Sequence, residues 1–491
     1  MPWSELDTAA VARTLAQIAE QPDDVADAYF ERREEVELPP EDDAPGLRIW
    51  REEGFAVRLL RGQRTWMASR DGIAERPFAE ALRQVARALP PVGYPEPRLR
   101  AAPMPFGDSG PGGASGVFGA AGAAGAGAAG AMRAARAGGA AGPSGAFAAA
   151  DARGAAGFAD LAHELREFPQ AVARAIRAHH VGIPVRLTLR RHRHWLQVVG
   201  SRLVPEPQSE AFYSCVLESQ WGRHGALLPR LDDDAAEQVA AAAVGLFRAR
   251  NAAAPASFRG VAVLAPAAVA VLLHEAVAHA LEADTLARGG RPEAAIGLAL
   301  AAPCLDVLDD PAAAPPEVRR TSDDEGLPVS RRWLLRRGAV EQPLADTAWS
   351  RLSPALVPGA GRRGSRHLPP GPRSTHLELL PGDAAESDLL AQANGGLHLP
   401  AASRGGLDAL SGEFTLRFPH GRRIRRGALA EPVGPCILRG QVADLLARAT
   451  AVGRDTIAAG AGWCAKGGQK LPVWATAPAL RLEGVAVEAD A

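Results

Sequence analysis

The chain has little to tie it to an oxidising compartment, a membrane or a nucleic acid. Only four cysteines occur in 491 residues, Cys215, Cys304, Cys436 and Cys464, widely spaced, whereas disulfide-stapled secreted domains use them far more densely. Cys215, Cys304 and Cys436 read as small buried hydrophobes. The 55 Lys plus Arg against 56 Asp plus Glu leave a formal charge of −1, so no global field draws nucleic acid or anionic lipid. No apolar run approaches the ~18 residues of a membrane span. The start, Met1-Pro2-Trp3-Ser4-Glu5-Leu6-Asp7, lacks the basic opening and apolar core of a signal peptide. These absences predict a soluble, cytoplasmic protein with no membrane or nucleic-acid partner. Aromatics make up only 5% of residues beside 52 Gly and 40 Pro. Turns should be abundant, and at least one segment should be unable to offset its ordering entropy by burying large side chains.

That segment runs from residue 107 to 157, which is almost entirely Gly, Ala and Ser without a period and reads as a flexible insertion. It separates an N-terminal α+β region, 1–106, from a central region, 158–254, that completes the N-terminal half. Asp7 precedes Val11, Leu15 and Ile18 at helical spacing, the pattern of a capped amphipathic helix. Phe55, Val57 and Leu59 alternate before Arg61-Gly62, and Trp66 and Met67 follow, as in a hairpin. Further helices are expected from Pro77, over Leu161–Ala178 and over Ala235–Arg248, and a half-buried strand over Val185, Leu187 and Leu189. His179-His180 suits a helix C-terminus. Residues 255–491 combine one notable helix with short turn-punctuated strands. The fold class expected is α+β: an N-terminal α/β region with an antiparallel sheet, then a sheet-rich C-terminal domain carrying the motif helix.

That helix opens at Pro266 after a short apolar strand, Gly260–Leu264, and runs through Val271-Leu272-Leu273-His274-Glu275-Ala276-Val277-Ala278-His279-Ala280-Leu281-Glu282. Neutral imidazole is a preferred zinc ligand, and a carboxylate beside a ligand can reach a water on the metal, so the order His-Glu then His is peptidase-like. In the common His-Glu-x-x-His motif the histidines lie about 40° apart around the helix, but five residues of spacing puts His274 and His279 about 140° apart. For both to meet one ion the helix must be overwound or widened, for instance by a single π turn. The same residues also suit a buried helix with two hydrogen-bonded core histidines.

The stretch Pro266–Asp284 resembles the signature helix of the TldD/PmbA family of metallopeptidases, in its TldD branch. A second stretch, Gly462-Trp463-Cys464-Ala465-Lys466-Gly467-Gly468-Gln469-Lys470-Leu471-Pro472-Val473, resembles the family's cysteine-bearing segment. Asp323-Asp324-Glu325-Gly326, Gly361-Arg362-Arg363, His367-Leu368-Pro369 and Ser411-Gly412-Glu413-Phe414 are also family-like. The resemblance implies Zn2+ held by His274, His279 and Cys464, with Glu275 as general base, in a C-terminal catalytic domain. It implies small or unfolded peptides as substrates, and a dimer formed with itself or with a PmbA-like subunit. It also leaves a second role open, a non-catalytic peptide-binding or maturation subunit of such a complex. The chain departs from the pattern at Ala278 and Ala465, where glycine is usual, and over Pro372–His376.

Three donors leave a fourth zinc position for water, and zinc lowers the pKa of such a water towards ~7, within reach of Glu275 as proton acceptor. Glu282 and Asp284 are candidates to orient a ligand histidine. Arg190-Arg191-His192-Arg193-His194 reads as a solvated basic strand end, because the interleaved positive charges disfavour a metal there. Arg422–Arg426 after His420-Gly421 reads as surface near a hairpin turn, without the stacking aromatics of a nucleic-acid patch.

Overall fold

The computed structural model describes residues 6–40, 46–62, 64–88, 152–255 and 257–490. The fold is α+β. Helix α1 (Thr8–Ala16) is capped by Asp7, whose carboxylate accepts the Ala10 N–H at 2.8 Å, and it buries Val11 and Leu15. Strands β1 (Val25–Leu38), β2 (Arg48–Arg61) and β3 (Arg64–Asp71) follow. The β2–β3 turn passes through Gly62 at φ +59°, a backbone conformation that costs glycine no Cβ clash. Helix α2 (Glu75–Ala88) covers this arm of the sheet, sealing Phe55, Val57 and Leu59 against Ala81 and Val85.

The Gly/Ala-rich stretch lies outside the described residues up to residue 151, and helix α3 (Ala152–Ala178) already begins within it. Strands β4 (Arg186–Gly200), β5 (Gln208–Ser219) and β6 (Gly222–Leu228) complete an antiparallel sheet ordered β3-β2-β1-β4-β5-β6. Helix α4 (Asp233–Ala249), capped by Asp232, packs with α3 over this second arm.

One expectation fails here. Arg190–His194 is no solvated strand end but mid-sheet, in register with the acidic stretch of β1. Arg190 pairs with Glu35 at 3.1 Å and also with Glu37; His192 meets Glu35 at 3.3 Å, and His194 meets Glu31 at 3.4 Å. The cross-strand acids neutralise the run, and a one-dimensional charge pattern cannot reveal a partner strand.

The C-terminal half contains β7 (Ser257–Leu264), helix α5 (Pro266–Leu272), β8 (Val307–Asp309), β9 (Arg332–Arg336), β10 (Ala339–Val340), the pair β11 (Gly361–Arg362) and β12 (Gly371–Pro372), and β13 (His376–Leu379). It continues through β14 (Leu397–Leu399), β15 (Arg404–Leu407), β16 (Glu413–Phe418), β17 (Gly421–Arg425), β18 (Ala428–Val433), β19 (Cys436–Gln441) and β20 (Ala449–Val452), ending in β21 (Ile457–Lys466), β22 (Gln469–Ala477) and β23 (Leu480–Ala489). One sheet runs β10-β9-β8-β13-β22-β21. A larger one runs β15-β16-β19-β23-β7-β14-β17-β18, with β20 beside β23. Helix α5 and its continuation fill the space between them, where Leu272, Leu273 and Val277 join Leu264, Leu377 and Ala475 in the main core.

The two halves meet across buried ions. Arg58 of β2 donates to Asp27 at 2.7 Å and to Glu325 at 2.7 Å; Arg320 meets Glu210 at 3.3 Å, and Arg366 meets Glu31 at 3.1 Å. Asp323 accepts the Gly361 N–H at 3.0 Å and Asp324 the Arg363 N–H at 2.8 Å. The Asp323–Gly326 and Gly361–Arg363 stretches therefore build the seam between the halves. Cys304 is exposed rather than buried, contrary to expectation. Among the described residues no helix is long and apolar enough to cross a membrane.

Candidate metal centre

Pro266 occupies the first turn of α5, where its missing N–H costs nothing. After Leu272 the helix widens: Leu273–Ala278 form a π turn in which the His279 N–H donates to the His274 carbonyl. The extra residue absorbs the angular mismatch of the five-residue spacing. The two rings end 4.3 Å apart between centroids, tilted by 56°. A tight turn, His279–Leu281, then ends the helix.

Cys464 comes from the far end of the chain. It lies on β21, opposite Leu471 of β22, with its Sγ 3.5 Å from His279 Nε2. One donor atom each from His274, His279 and Cys464 lie within 4.8 Å of one another. All three predicted metal-site donors are thus brought together.

Around them sits a ring of charge. Glu282, fully buried, accepts from His279 Nδ1 at 3.0 Å, which turns Nε2 towards the sulfur. Lys466 contacts Glu282 and donates to Asp284 at 2.8 Å and to Thr285 at 2.6 Å; Arg373 lies 3.2 Å from Asp284 and 3.6 Å from Glu282. Of the two acids expected to orient a histidine, only Glu282 reaches one, while Asp284 holds the cations. Burial alone would raise the Glu282 pKa, but His279, Arg373 and Lys466 pull it down to about 2. Burial opposes charge on His279 too, yet Glu282 and the Cys464 sulfur outweigh it and lift that ring to about 10. His274 is held far below the ordinary imidazole value by burial and by His279, so it is neutral.

The residues fit a zinc ion. Neither ring nitrogen of buried His274 has a hydrogen-bond partner among the described residues, a costly state that a metal–nitrogen bond relieves. Two imidazoles and a thiolate are a zinc-type donor set that leaves one position open. A divalent ion here competes with the proton that Glu282 and Cys464 draw to His279, so binding releases protons.

Glu275 follows His274 and lines a cavity of about 410 Å³ that His274 also reaches. Burial raises its pKa, in the direction that favours proton acceptance near neutrality. Space for it comes from Gly405 of β15, where a Cβ would fall 2.3 Å from the Glu275 Cγ. Gly405, Arg373 and Lys466 were not assigned roles from sequence. Lys466 stands in the cysteine-bearing segment, but its carboxylate partners lie on another element, so no local signal marks its role. Gly405 carried no signal beyond being a glycine.

Residues 259–489 match the model described as the PmbA/TldA metallopeptidase C-terminal domain. A "Metalloprotease TldD homolog" of Haemophilus influenzae is 32% identical over 223 residues, covering 44% of this chain and 45% of that protein. A "Zinc metalloprotease TldD homolog" of Saccharolobus solfataricus is 24% identical over 226 residues, 46% of this chain and 50% of that protein. The matched stretch spans about half the length of these curated relatives. Among solved structures, TldE from Thermococcus kodakarensis superposes with a TM-score of 0.68 at 15% identity, covering 98% of this chain and 99% of that one. A putative modulator of a DNA gyrase from Thermotoga maritima gives 0.64 at 15% identity, covering 97% and 98%. At such identity these superpositions speak for the fold alone.

Proposed function

Because the chain belongs, through residues 259–489, to the TldD/PmbA metallopeptidase family, we propose that it is a zinc-dependent peptidase acting on small or unfolded peptides. The zinc ligands in this reading are His274, His279 and Cys464, within a catalytic domain spanning residues 255–491. The observation that carries it is the convergence of those three donors within 4.8 Å, beside a half-buried carboxylate that opens on a cavity.

A zinc ion held there supplies Lewis acidity to a water and to the scissile carbonyl. Glu275 accepts the proton lost by the attacking water and returns it to the departing amine, which balances the hydrolysis. Glu282 fixes the His279 ring through Nδ1, and Lys466 and Arg373 hold Glu282 in turn. Among the described residues β15 ends its sheet, and its Gly405 faces Glu275. An extended peptide adding there gains main-chain hydrogen bonds with little demand on sequence, which suits unfolded substrates. The same reading includes a dimer, with a second copy or with a PmbA-like subunit, in a cytoplasmic setting.

The test pairs metal analysis with peptide cleavage. About one zinc per chain is expected, with hydrolysis abolished by a chelator and restored by Zn2+. Glu275→Gln should keep the metal and lose cleavage; Cys464→Ala should lose the metal. A Glu275→Gln protein that still hydrolyses peptide removes Glu275 from its role. Stoichiometric zinc without any cleavage would favour a non-catalytic peptide-binding or maturation subunit.

A further inference from the structure

We propose that His224 and His420 form the polar end of the cavity beside the metal centre and select substrates with an uncharged, hydrogen-bonding side chain, such as a carboxamide, next to the scissile bond. The inference rests on the peptidase reading of the centre and names the substrate class.

Both imidazoles line the cavity that His274 and Glu275 also line. They arrive from opposite halves of the molecule, His224 on β6 and His420 immediately before β17. Both are buried, at 9% and 8% exposure, yet neither side chain makes a hydrogen bond with another described residue. Their ring nitrogens are not sealed in the protein but open to the cavity, so their hydrogen-bonding capacity is left to whatever occupies it.

The surroundings make room for that partner. Gly245 of α4 faces His420 so closely that a Cβ would fall 2.1 Å from its Cε1. Ala241 and Ala242 of the same helix keep the wall shallow, and Gln238 adds a neutral amide to the lining. Burial pushes both histidines down to about 4, with His224 and His398 adding to the effect at His420. Each ring is therefore neutral near pH 7, one nitrogen donating and the other accepting. A carboxamide offers the matching acceptor and donor. An aliphatic side chain of equal size leaves both rings unpaired, and a lysine or arginine finds no counter-charge on the rings themselves.

The test uses peptides that differ only beside the cleaved bond, carrying Gln, Leu or Lys. Wild-type protein should favour Gln over Leu and Lys by about tenfold or more in kcat/KM. His224→Leu and His420→Leu should each erase that preference and move the Leu peptide ahead. Since a buried substitution can compromise folding, Ala242→Leu narrows the cavity from a half-exposed helix position. It should slow the Gln peptide more than a Gly peptide. Fluorescence anisotropy of the same peptides on Glu275→Gln protein reads the preference without catalysis. A Gln preference in binding with no cleavage by wild type would sink the peptidase reading and leave the wall assignment standing. Equal affinities and rates for the three peptides, a preference that survives both histidine variants when they melt like wild type, or an Ala242→Leu protein indistinguishable from wild type would overturn it.

Discussion

At the scale of single residues, Glu275 depends on an atom that is missing from its neighbour. Gly405→Ala places a methyl 2.3 Å from the Glu275 Cγ, so the carboxylate must move by about an ångström, a displacement that costs on the order of a hundredfold in rate for a positioned group. Peptide kcat should fall by about that factor while zinc content stays at wild-type level; an unchanged kcat would show that the carboxylate has slack. His420 offers a second measurement. Its ordinary pKa of 6.5 drops to about 4 in the fold, so below 6.5 the unfolded chain takes up a proton that the folded chain refuses. This contribution to stability is full above pH 6.5 and declines as pH falls towards 4, by up to about 1.4 kcal/mol per unit. His420→Leu lacks it. Urea unfolding should therefore show the variant gaining on wild type between pH 6.5 and 4, whereas a constant gap would mean the ring is not held neutral.

At the scale of elements, the decisive piece is the π turn over Leu273–Ala278. That turn delivers His279 to Glu282, whose carboxylate accepts from Nδ1 and so aims Nε2 at Cys464. In Glu282→Ala, zinc affinity measured by chelator competition should fall at least about tenfold; retained affinity would show that the carboxylate is incidental. Much of this element was legible in advance. The demand for a widened turn follows from counting residues between His274 and His279, and the cap at Asp7 follows from residue type. The resemblance of the cysteine-bearing segment pointed to Cys464. Illegible were the partners that arrive from other elements: β1 neutralising Arg190–His194, Lys466 bracing Glu282, Gly405 yielding to Glu275. Each is a contact between segments distant in the chain, and neither periodicity nor local charge records such contacts.

At the scale of the whole molecule, buried ions hold the two halves together. Arg58 is 2% exposed and shared between Asp27 of the first half and Glu325 of the second. Arg58→Met strands both carboxylates, a loss of about 3–5 kcal/mol when one partner of a buried pair is removed. The melting transition should drop and split, with the first half released before the second, as seen by calorimetry. A single transition at the wild-type temperature would mean the pair adds nothing to cohesion.

The cavity, too, is lined from both halves. His274, His279, Cys464 and Glu275 all belong to the second half, but the lining of the cavity is shared, with His224, Gln238 and the small residues of α4 coming from the first. On the peptidase reading, the reaction is encoded in the second half alone, whereas discrimination draws on both. On that reading, changes in β6 or α4 would retune which peptides are admitted while His274, His279, Cys464 and Glu275 stay intact, so relatives that share the second half and diverge in the first would perform one chemistry on different diets.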